Sequence, residues 1–203
     1  MNSKPYDIVL LPDIKITKES LRLSNSLKNH GVYFTLNNQS YFSHVSIYML
    51  QLSDDGLKKA INFLTEFSKT INNIEAIAHS FNYTDGYFDL EYLKTDEISK
   101  LQEKIISELN PVRDGLREKD KQRLASADDE TKANITEYGF RSVGKLFYPH
   151  LTFTRFKNDQ KSILDELPSK EEFGGKFVGL GIFEIGDNGT CVKLVKKWKL
   201  ARF

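Results

Sequence analysis

Apolar residues along the chain fall into short runs separated by turn residues, a pattern typical of interleaved strands and helices. The run at 6–11 is closed by Pro12 and predicts a buried strand. The run at 41–52 is the longest strand predicted in the first half. Turn residues at 84–86 and 186–189 each separate two apolar runs, which predicts two hairpins. The hairpin strands are predicted at 74–83, 87–93, 176–185 and 191–200, and a further strand at 32–36.

Helical periodicity is clearest after Ser53, where apolar residues recur at i, i+3, i+4 and i+7. Thr95 caps a second predicted helix, which Pro111 stops. Thr17 is the predicted N-cap of a helix at 17–28, and a short helix is predicted within 160–173. This order of elements predicts an α+β fold with mixed or antiparallel sheets and helices packed against them, rather than a doubly wound parallel sheet.

The segment 111–135 differs from the rest of the chain. Twelve of its 25 residues are charged, six of each sign, and none is aromatic. Such a segment is typical of a solvated helix or a mobile insertion. We therefore expect it to lie outside the functional site.

Composition excludes several classes of protein. A formal net charge of +1 argues against coating of duplex DNA or of an anionic membrane, although a small anionic substrate needs only local charges. The single cysteine, Cys191, excludes a disulfide framework and a cysteine-based zinc site. No apolar run approaches the roughly 20 residues of a membrane span, and the first residues lack the apolar region of a signal peptide. We expect a cytoplasmic monomer.

One local pattern, a histidine followed two residues later by a hydroxyl residue, occurs inside two strand-like runs. The two copies are His44-Val45-Ser46 and His150-Leu151-Thr152. Side chains alternate between the faces of a strand, so each imidazole shares a face with its hydroxyl. By chance alone this short pattern is weak evidence, and its strength lies in the matching context in both halves.

These residue types suit the cleavage of a phosphodiester. In-line cleavage needs a base at the attacking oxygen and an acid at the leaving oxygen, and two histidines supply both near neutral pH because their ordinary pKa is about 6.5. The hydroxyls of Ser46 and Thr152 suit the non-bridging oxygens of the transition state. We therefore predict His44 and His150 as catalytic, and the sequence leaves open which of them is the base.

Four further residues are predicted to contact substrate. Tyr48 and Thr154 share the motif faces, and Tyr148 is able to stack on a base. Arg155 is able to clamp a phosphate, but it lies an odd number of positions from His150, so an unbulged strand would aim it away.

The two motifs resemble those of the two-histidine (2H) phosphoesterase superfamily, which includes bacterial 2′-5′ RNA ligase-like proteins and cyclic phosphodiesterases. The resemblance rests on His44-Val45-Ser46-Ile47 and on the segment from Pro149 to Arg155. It implies a two-lobed fold with pseudo-twofold symmetry over 1–203, in which the motifs face each other across a cleft. The motifs are further apart than in simpler members, and an insertion at 111–135 would account for the excess.

The resemblance implies a metal-independent phosphodiesterase with no cofactor, acting on a 2′,3′-cyclic phosphate, a 2′-5′ linkage or a cyclic (oligo)nucleotide. The expected partner is a nucleotide or an RNA end. The alternative is a non-catalytic RNA- or nucleotide-binding protein. A metal site on the two histidines with Asp89 or Glu91 is disfavoured, because nothing in the sequence fixes those carboxylates nearby. His30 and His79 lack a hydroxyl companion and are interpreted as structural.

Overall fold

The computed structural model describes residues 3–201, without the side chains of 164–166. This part of the chain contains eight strands and five α-helices. The strands are β1 (Lys4–Pro12), β2 (Val45–Leu52), β3 (Ile74–Ala76), β4 (Ala78–Thr84), β5 (Tyr87–Tyr92), β6 (His150–Arg155), β7 (Gly175–Ile185) and β8 (Cys191–Lys199). The helices are α1 (Ile14–Ser26), α2 (Asp54–Phe67), α3 (Asp96–Leu109), α4 (Glu118–Leu124) and α5 (Asp129–Tyr138).

The strands form two antiparallel sheets. In the first sheet the order is β2-β1-β7, and both β3 and β8 pair with β7 on its other side. The second sheet has the order β4-β5-β6. Both predicted hairpins are confirmed, and the α+β class with antiparallel sheets is confirmed with them. The predicted strand at 74–83 is two strands, because the chain leaves the first sheet after Ala76 and enters the second at Ala78.

A shared hydrophobic core holds the two sheets together. Ile8 and Phe177 of the first sheet and Phe88 and Phe153 of the second belong to one cluster of buried side chains. All four are removed from solvent completely. Burial of a large apolar side chain contributes about 1.5–3 kcal/mol, so this common core fixes the position of each sheet relative to the other.

Two of the three predicted helix caps are confirmed, and the third lies at a different residue. The side chains of Ser53 and Thr95 cap α2 and α3, as predicted. The first helix begins earlier than predicted, because the Asp13 carboxylate accepts a hydrogen bond of 2.9 Å from the amide of Ile16. An aspartate in this position satisfies a free amide of the first turn, so Thr17 lies inside the helix.

Three short segments differ from their predicted structure. Residues 32–36 form a single bridge, Val32 with Phe156, instead of a strand. β2 begins at Val45, since residues 37–44 form a turn and loop before it. The stretch at 160–173 contains two 3-10 segments, Lys161–Glu166 and Lys170–Phe173, in place of an α-helix. None of the helices described here is long and apolar enough to cross a membrane.

The two strands that carry the motifs are neighbours in space. β2 is an edge strand of the first sheet and β6 is an edge strand of the second. These two edges contact each other. The topology therefore brings together two short motifs that are far apart in the sequence.

Candidate active site

A cleft of about 1110 Å³ contains both motifs. His44, Ser46, His150 and Thr152 all line it. The four residues for which catalysis is predicted therefore share one cavity. The alternation of side chains explains why each histidine and its hydroxyl residue face the cleft together. The residues between them, Val45 and Leu151, lie on the opposite face and are completely buried.

The two imidazole rings are held in the same way. Nδ1 of His44 lies 2.7 Å from the carbonyl oxygen of Phe42, and Nδ1 of His150 lies 3.0 Å from that of Tyr148. A carbonyl only accepts, so in each ring Nδ1 carries the proton that it donates. This leaves Nε2 of each ring as the nitrogen free to exchange a proton with a ligand.

Burial controls the charge of both histidines. The pKa of His44 is lowered to about 4, chiefly by desolvation and to a smaller extent by His150, against the opposing hydrogen bond to Phe42. Desolvation also lowers the pKa of His150, and the positive charge of Arg141 acts in the same direction. Both rings are therefore neutral at pH 7 in the empty cleft, and an anion between them would favour protonation of one.

A register shift redirects the end of β2. Ile47 is the extra residue of a β-bulge between β1 and β2, so the alternation changes after Ser46. Tyr48 is completely buried as a result, whereas Met49 lines the cleft. The prediction that Tyr48 contacts substrate is therefore wrong, because the bulge places it on the core face.

The same shift occurs in β6. Phe153 is the extra residue between β5 and β6, and Thr154 turns into the core, where its hydroxyl donates to the carbonyl of Phe34. The prediction that Thr154 contacts substrate is therefore wrong. The same bulge changes the face on which Arg155 lies. Its side chain lines the cleft, whereas an unbulged strand would aim it away. The two motif strands thus repeat one design, with Met49 and Arg155 at corresponding positions.

Buried polar side chains from the helices support both bulges. The carbonyl of Ile47 accepts a hydrogen bond of 2.9 Å from Nε2 of Gln102, and the carbonyl of Phe153 accepts one of 2.6 Å from Oγ of Ser24. Each bulge removes a carbonyl from its ladder, and an unpaired buried carbonyl is costly. Gln102 and Ser24 are polar residues on buried helix faces, and that position is the sequence signal that would have indicated this role.

Replacement of Tyr48 by phenylalanine tests its structural role. Its hydroxyl donates a hydrogen bond of 2.7 Å to the carbonyl of Tyr138 and lies 3.2 Å from Oδ1 of Asn110. We expect Tyr48→Phe to lower the free energy of unfolding by about 1–2 kcal/mol, because it leaves the carbonyl of Tyr138 without this donor, whereas Oδ1 of Asn110 still accepts from Nε of Arg113. Urea denaturation measures this change. A Tyr48→Phe protein with native stability and a raised KM would contradict the assignment.

Two predicted substrate contacts lie at the cleft. Tyr148 is 39% exposed, lines the cleft and stacks on the ring of His150 with 4.4 Å between ring centroids. Arg155 lies over the ring of Tyr87, 4.7 Å from its centroid, and its Nη1 donates a hydrogen bond of 2.7 Å to Oδ1 of Asn188. The partner of this guanidinium is a neutral amide, so its charge is available to an anion.

The charge-rich segment 111–135 forms one wall of the cleft, contrary to the expectation that it lies outside the site. Helices α4 and α5 lie within or overlap this segment. Local sequence did not indicate its place, because the packing of a polar helix depends on distant residues. The residues from this segment that line the cleft are Leu116, Arg117, Glu118, Lys119, Lys121, Arg123 and Thr131.

Sequence alone does not place Asp89 or Glu91 near the histidines, but strand register does. In the pairing of β5 with β6, Asp89 lies opposite Thr152 and Glu91 lies opposite His150. Asp89 is buried and lines the cleft, and desolvation raises its pKa to about 7. A carboxyl group therefore accompanies the hydroxyl of the second motif.

Asp7 is the functional-site residue that the sequence did not reveal. Its Oδ2 accepts a hydrogen bond of 2.6 Å from Ser46 and lies 3.8 Å from Nε2 of His44. The side chain is completely buried, and desolvation raises its pKa to about 7. The available signal was an acidic residue inside the apolar run of the first strand.

Potential metal ligands within the described residues gather around this carboxylate. Donor atoms of Asp7, His44 and Cys191 lie within 4.8 Å of one another. Burial, with the neighbouring charge of Asp7, raises the pKa of the Cys191 thiol well above its ordinary value. Because the thiolate is the form that ligates metals, an ion bound here would have to displace the thiol proton.

The buried carboxyl group makes stability depend on pH. The folded-state pKa of Asp7 is about 7, above the ordinary 3.8, so folding retains a proton that the unfolded chain releases. This contribution is present below about pH 4 and is lost as the pH rises to 7. Asp7→Asn removes it, so the stability of Asp7→Asn relative to the native protein should increase by at least about 1 kcal/mol between pH 4.5 and pH 8.

Denaturant unfolding of the two proteins at both pH values measures this difference. Asp55→Asn is the matched control, since it makes the same substitution at an exposed carboxylate. A difference between Asp7→Asn and the native protein that stays constant with pH would show that Asp7 is ionised throughout.

Comparisons with known proteins identify the fold but no close relative. No family model matches the sequence, and no curated protein matches it either. Structures of E. coli LigT are similar: the complex with NADP+ has a TM-score of 0.59 at 10% identity, covering 98% of this chain and 99% of that chain.

Two further structures extend the comparison. TT0787 of Thermus thermophilus has a TM-score of 0.65 at 11% identity, with 98% of each chain covered. A protein described as a phosphoesterase has a TM-score of 0.56 at 10% identity, covering 99% of this chain and 100% of that chain. By its fold, the chain is therefore similar to LigT and a phosphoesterase, consistent with the two-histidine phosphoesterase superfamily that its motifs resemble.

Proposed function

We propose that this protein is a metal-independent phosphodiesterase that hydrolyses a 2′,3′-cyclic phosphate, a 2′-5′ linkage or a cyclic (oligo)nucleotide. The observation that carries the proposal is the repeated arrangement of His44 with Ser46 and His150 with Thr152 in one cleft. Each ring is fixed through Nδ1 by the carbonyl two residues before it. Two oriented rings supply a base and an acid at one phosphate.

For a cyclic phosphate, the reaction needs two proton transfers. One neutral histidine accepts a proton at Nε2 from a water molecule, whose oxygen attacks phosphorus. The other, protonated histidine donates its Nε2 proton to the ribose oxygen as the P–O bond breaks. The product is a phosphomonoester, and the two rings have exchanged protonation states. Solvent exchange restores both rings for the next cycle.

In the proposed mechanism three side chains stabilise the charge of the transition state. The hydroxyls of Ser46 and Thr152 lie on the cleft side of their strands and Arg155 reaches the same cavity. Hydrogen-bond donors fixed before the reaction stabilise developing negative charge without the cost of reorganisation. Because the two rings carry the protons and these donors carry the charge, the proposed reaction assigns no step to a metal ion.

The protonation state of Asp7 determines which acceptor receives the hydrogen bond of the Ser46 hydroxyl. An ionised Asp7 would accept the Ser46 proton along their 2.6 Å contact and keep it from a substrate. A neutral Asp7 donates its own proton to Ser46 Oγ, which frees the Ser46 proton for the phosphate. Burial, which raises the pKa of Asp7 to about 7, favours the neutral form in mildly acidic solution.

Nucleotides are the supported class of substrate. Similar structures of E. coli LigT contain phosphate, 3′-AMP or NADP+. The aromatic ring of Tyr148 at the cleft offers a face on which a base is able to stack. These observations favour a phosphate joined to a nucleoside over an isolated phosphate ester.

The test is hydrolysis of a substrate panel in the presence of EDTA. The panel contains nucleoside 2′,3′-cyclic phosphates, a 2′-5′-linked dinucleotide, a cyclic dinucleotide and a 3′-5′-linked dinucleotide as the comparison. We expect at least one of the first three to be hydrolysed, with one ¹⁸O atom from labelled water in the new phosphomonoester. Activity that EDTA abolishes would contradict the metal-independent mechanism. Binding of nucleotides without any turnover would favour the alternative, a non-catalytic nucleotide-binding protein.

A further inference from the structure

Positive side chains converge on the wall of the cleft that the charge-rich segment forms. Arg117, Lys119 and Arg123 come from the segment itself, and Arg141 follows it in the chain. Arg155 lies on the strand that carries the second histidine. All five residues line the same cavity as the two histidines.

Acidic partners neutralise only part of this charge. The buried Asp120 carboxylate contacts both Arg117, at 2.6 Å, and Arg123, at 3.1 Å. Two guanidinium groups that share one carboxylate leave one positive charge over. Within the described part of the chain, Lys119 and Arg141 form no salt bridge, so each adds a further charge. Lys121 is paired with Glu118, which removes it from the excess.

The charges are close enough to repel one another. Desolvation lowers the pKa of Lys119, and the charges of Arg123, Arg155 and Arg141 lower it further. Arg141 also acts on His150. Like charges gathered in an empty cleft are unfavourable, and a bound anion removes that penalty. The cluster therefore has the electrostatic character of an anion site next to the catalytic histidines.

The cleft also has more room than a single phosphate or nucleoside requires. Its volume of about 1110 Å³ exceeds the roughly 300–1,000 Å³ typical of pockets for small organic ligands. The two histidine motifs need only one phosphate, and of the five cations only Arg155 is assigned to it. Space and charge thus remain after the scissile phosphate is placed.

We propose that Lys119, Arg123 and Arg141 bind a second phosphate group of the substrate, one that is not cleaved. This inference rests on the proposed function and deepens it, since it names a nucleotide with at least two phosphate groups as the preferred class. A cyclic phosphate that also carries a 5′-phosphate, or a short oligonucleotide with a neighbouring phosphodiester, has this chemistry. The net charge of +1 favours such a local contact over a track for long RNA.

The test compares two ligands that differ by one phosphate, and it does not require turnover. Affinities for adenosine 3′-phosphate and adenosine 3′,5′-bisphosphate are measured by calorimetry at low ionic strength. We expect the native protein to bind the bisphosphate at least about tenfold more tightly, as one charge-assisted contact provides. In Lys119→Gln and Arg141→Gln the ratio of the two affinities should fall toward one. Salt should reduce the ratio in the native protein, because the contact is electrostatic.

Lys132→Gln is the matched control, because Lys132 belongs to the same segment but does not line the cleft, and it should keep the native ratio. Equal affinities in the native protein would overturn the second-phosphate site. So would tight binding of a single-stranded RNA 20-mer without preference for the bisphosphate, which would indicate an RNA track instead. A preserved preference for the bisphosphate in a protein that hydrolyses no substrate would support the site and refute the proposed phosphodiesterase.

Discussion

Replacement of either cleft histidine by alanine should lower kcat on the best panel substrate by about 10²- to 10⁴-fold, the usual contribution of a positioned acid or base. His44 and His150 each have Nδ1 engaged by a backbone carbonyl, which leaves Nε2 free for the substrate. Both rings line the cleft, and neither lies between the two sheets as the core side chains do. The loss should therefore appear in kcat without comparable loss of stability.

The pH dependence of kcat/KM gives a second measure of the same roles. This ratio reports the pKa values of the free enzyme. Burial lowers the pKa of His44 to about 4 and lowers that of His150 below its ordinary 6.5. We expect a bell-shaped profile with its maximum below pH 6.5, and each single variant should lose one limb of the bell.

Two other histidines provide controls for these variants. His30 and His79 are exposed and do not line the cleft, so His30→Ala and His79→Ala should keep native kcat and kcat/KM. Steady-state kinetics on all four alanine variants makes the comparison. Native turnover in either His44→Ala or His150→Ala would remove that residue from the mechanism.

Loss of the motif hydroxyls should have the second-largest effect. Thr152→Val and Ser46→Ala each remove a donor from the cleft, and the loss of one such donor lowers kcat by about 10²- to 10³-fold in enzymes that stabilise an oxyanion. The effect should fall on kcat more than on KM, because the charge on the non-bridging oxygens grows in the transition state. Steady-state measurement of the two parameters separately tests this expectation.

Thr154→Val is the matched control for Thr152→Val. It removes a hydroxyl from the same strand, but the bulge turns Thr154 into the core, where it serves the carbonyl of Phe34. This variant should lose stability and keep its kcat. The reverse pattern, with kcat lost in Thr154→Val and retained in Thr152→Val, would place the wrong hydroxyl at the phosphate.

Local sequence determines much of the scaffold because its signals act over a few residues. The caps at Ser53 and Thr95 need only the next turn of helix, and both lie where they are predicted. The hairpin turn at 84–86 likewise depends on adjacent residues, and β4 and β5 flank it. At the first helix a second capping residue, Asp13, precedes the predicted cap Thr17, and the helix begins about one turn earlier than predicted.

Local sequence does not determine the register between paired strands. Nothing within β2 or β6 marks Ile47 or Phe153 as the extra residue, because a bulge is defined by the partner strand. The two supporting side chains, Gln102 and Ser24, come from distant helices. Alternation therefore predicts each motif correctly up to its hydroxyl and fails at the residues after it.

Long-range packing also decides the electrostatics of the site. Asp7 lies beside Ser46 because β1 pairs with β2, and the charge-rich segment reaches the cleft through contacts with distant parts of the chain. Whether a charged segment faces solvent or a cavity depends on what surrounds it, which composition does not record.

By itself, then, the sequence determined the α+β class and which histidine and hydroxyl pairs share a strand face, since these follow from periodicity within each element. Only the tertiary structure decided that both pairs face one cleft, that Arg155 joins them while Tyr48 and Thr154 do not, and that the segment 111–135 supplies a wall. The physical reason is range: periodicity acts between neighbours in the chain, whereas register, burial and charge depend on neighbours in space.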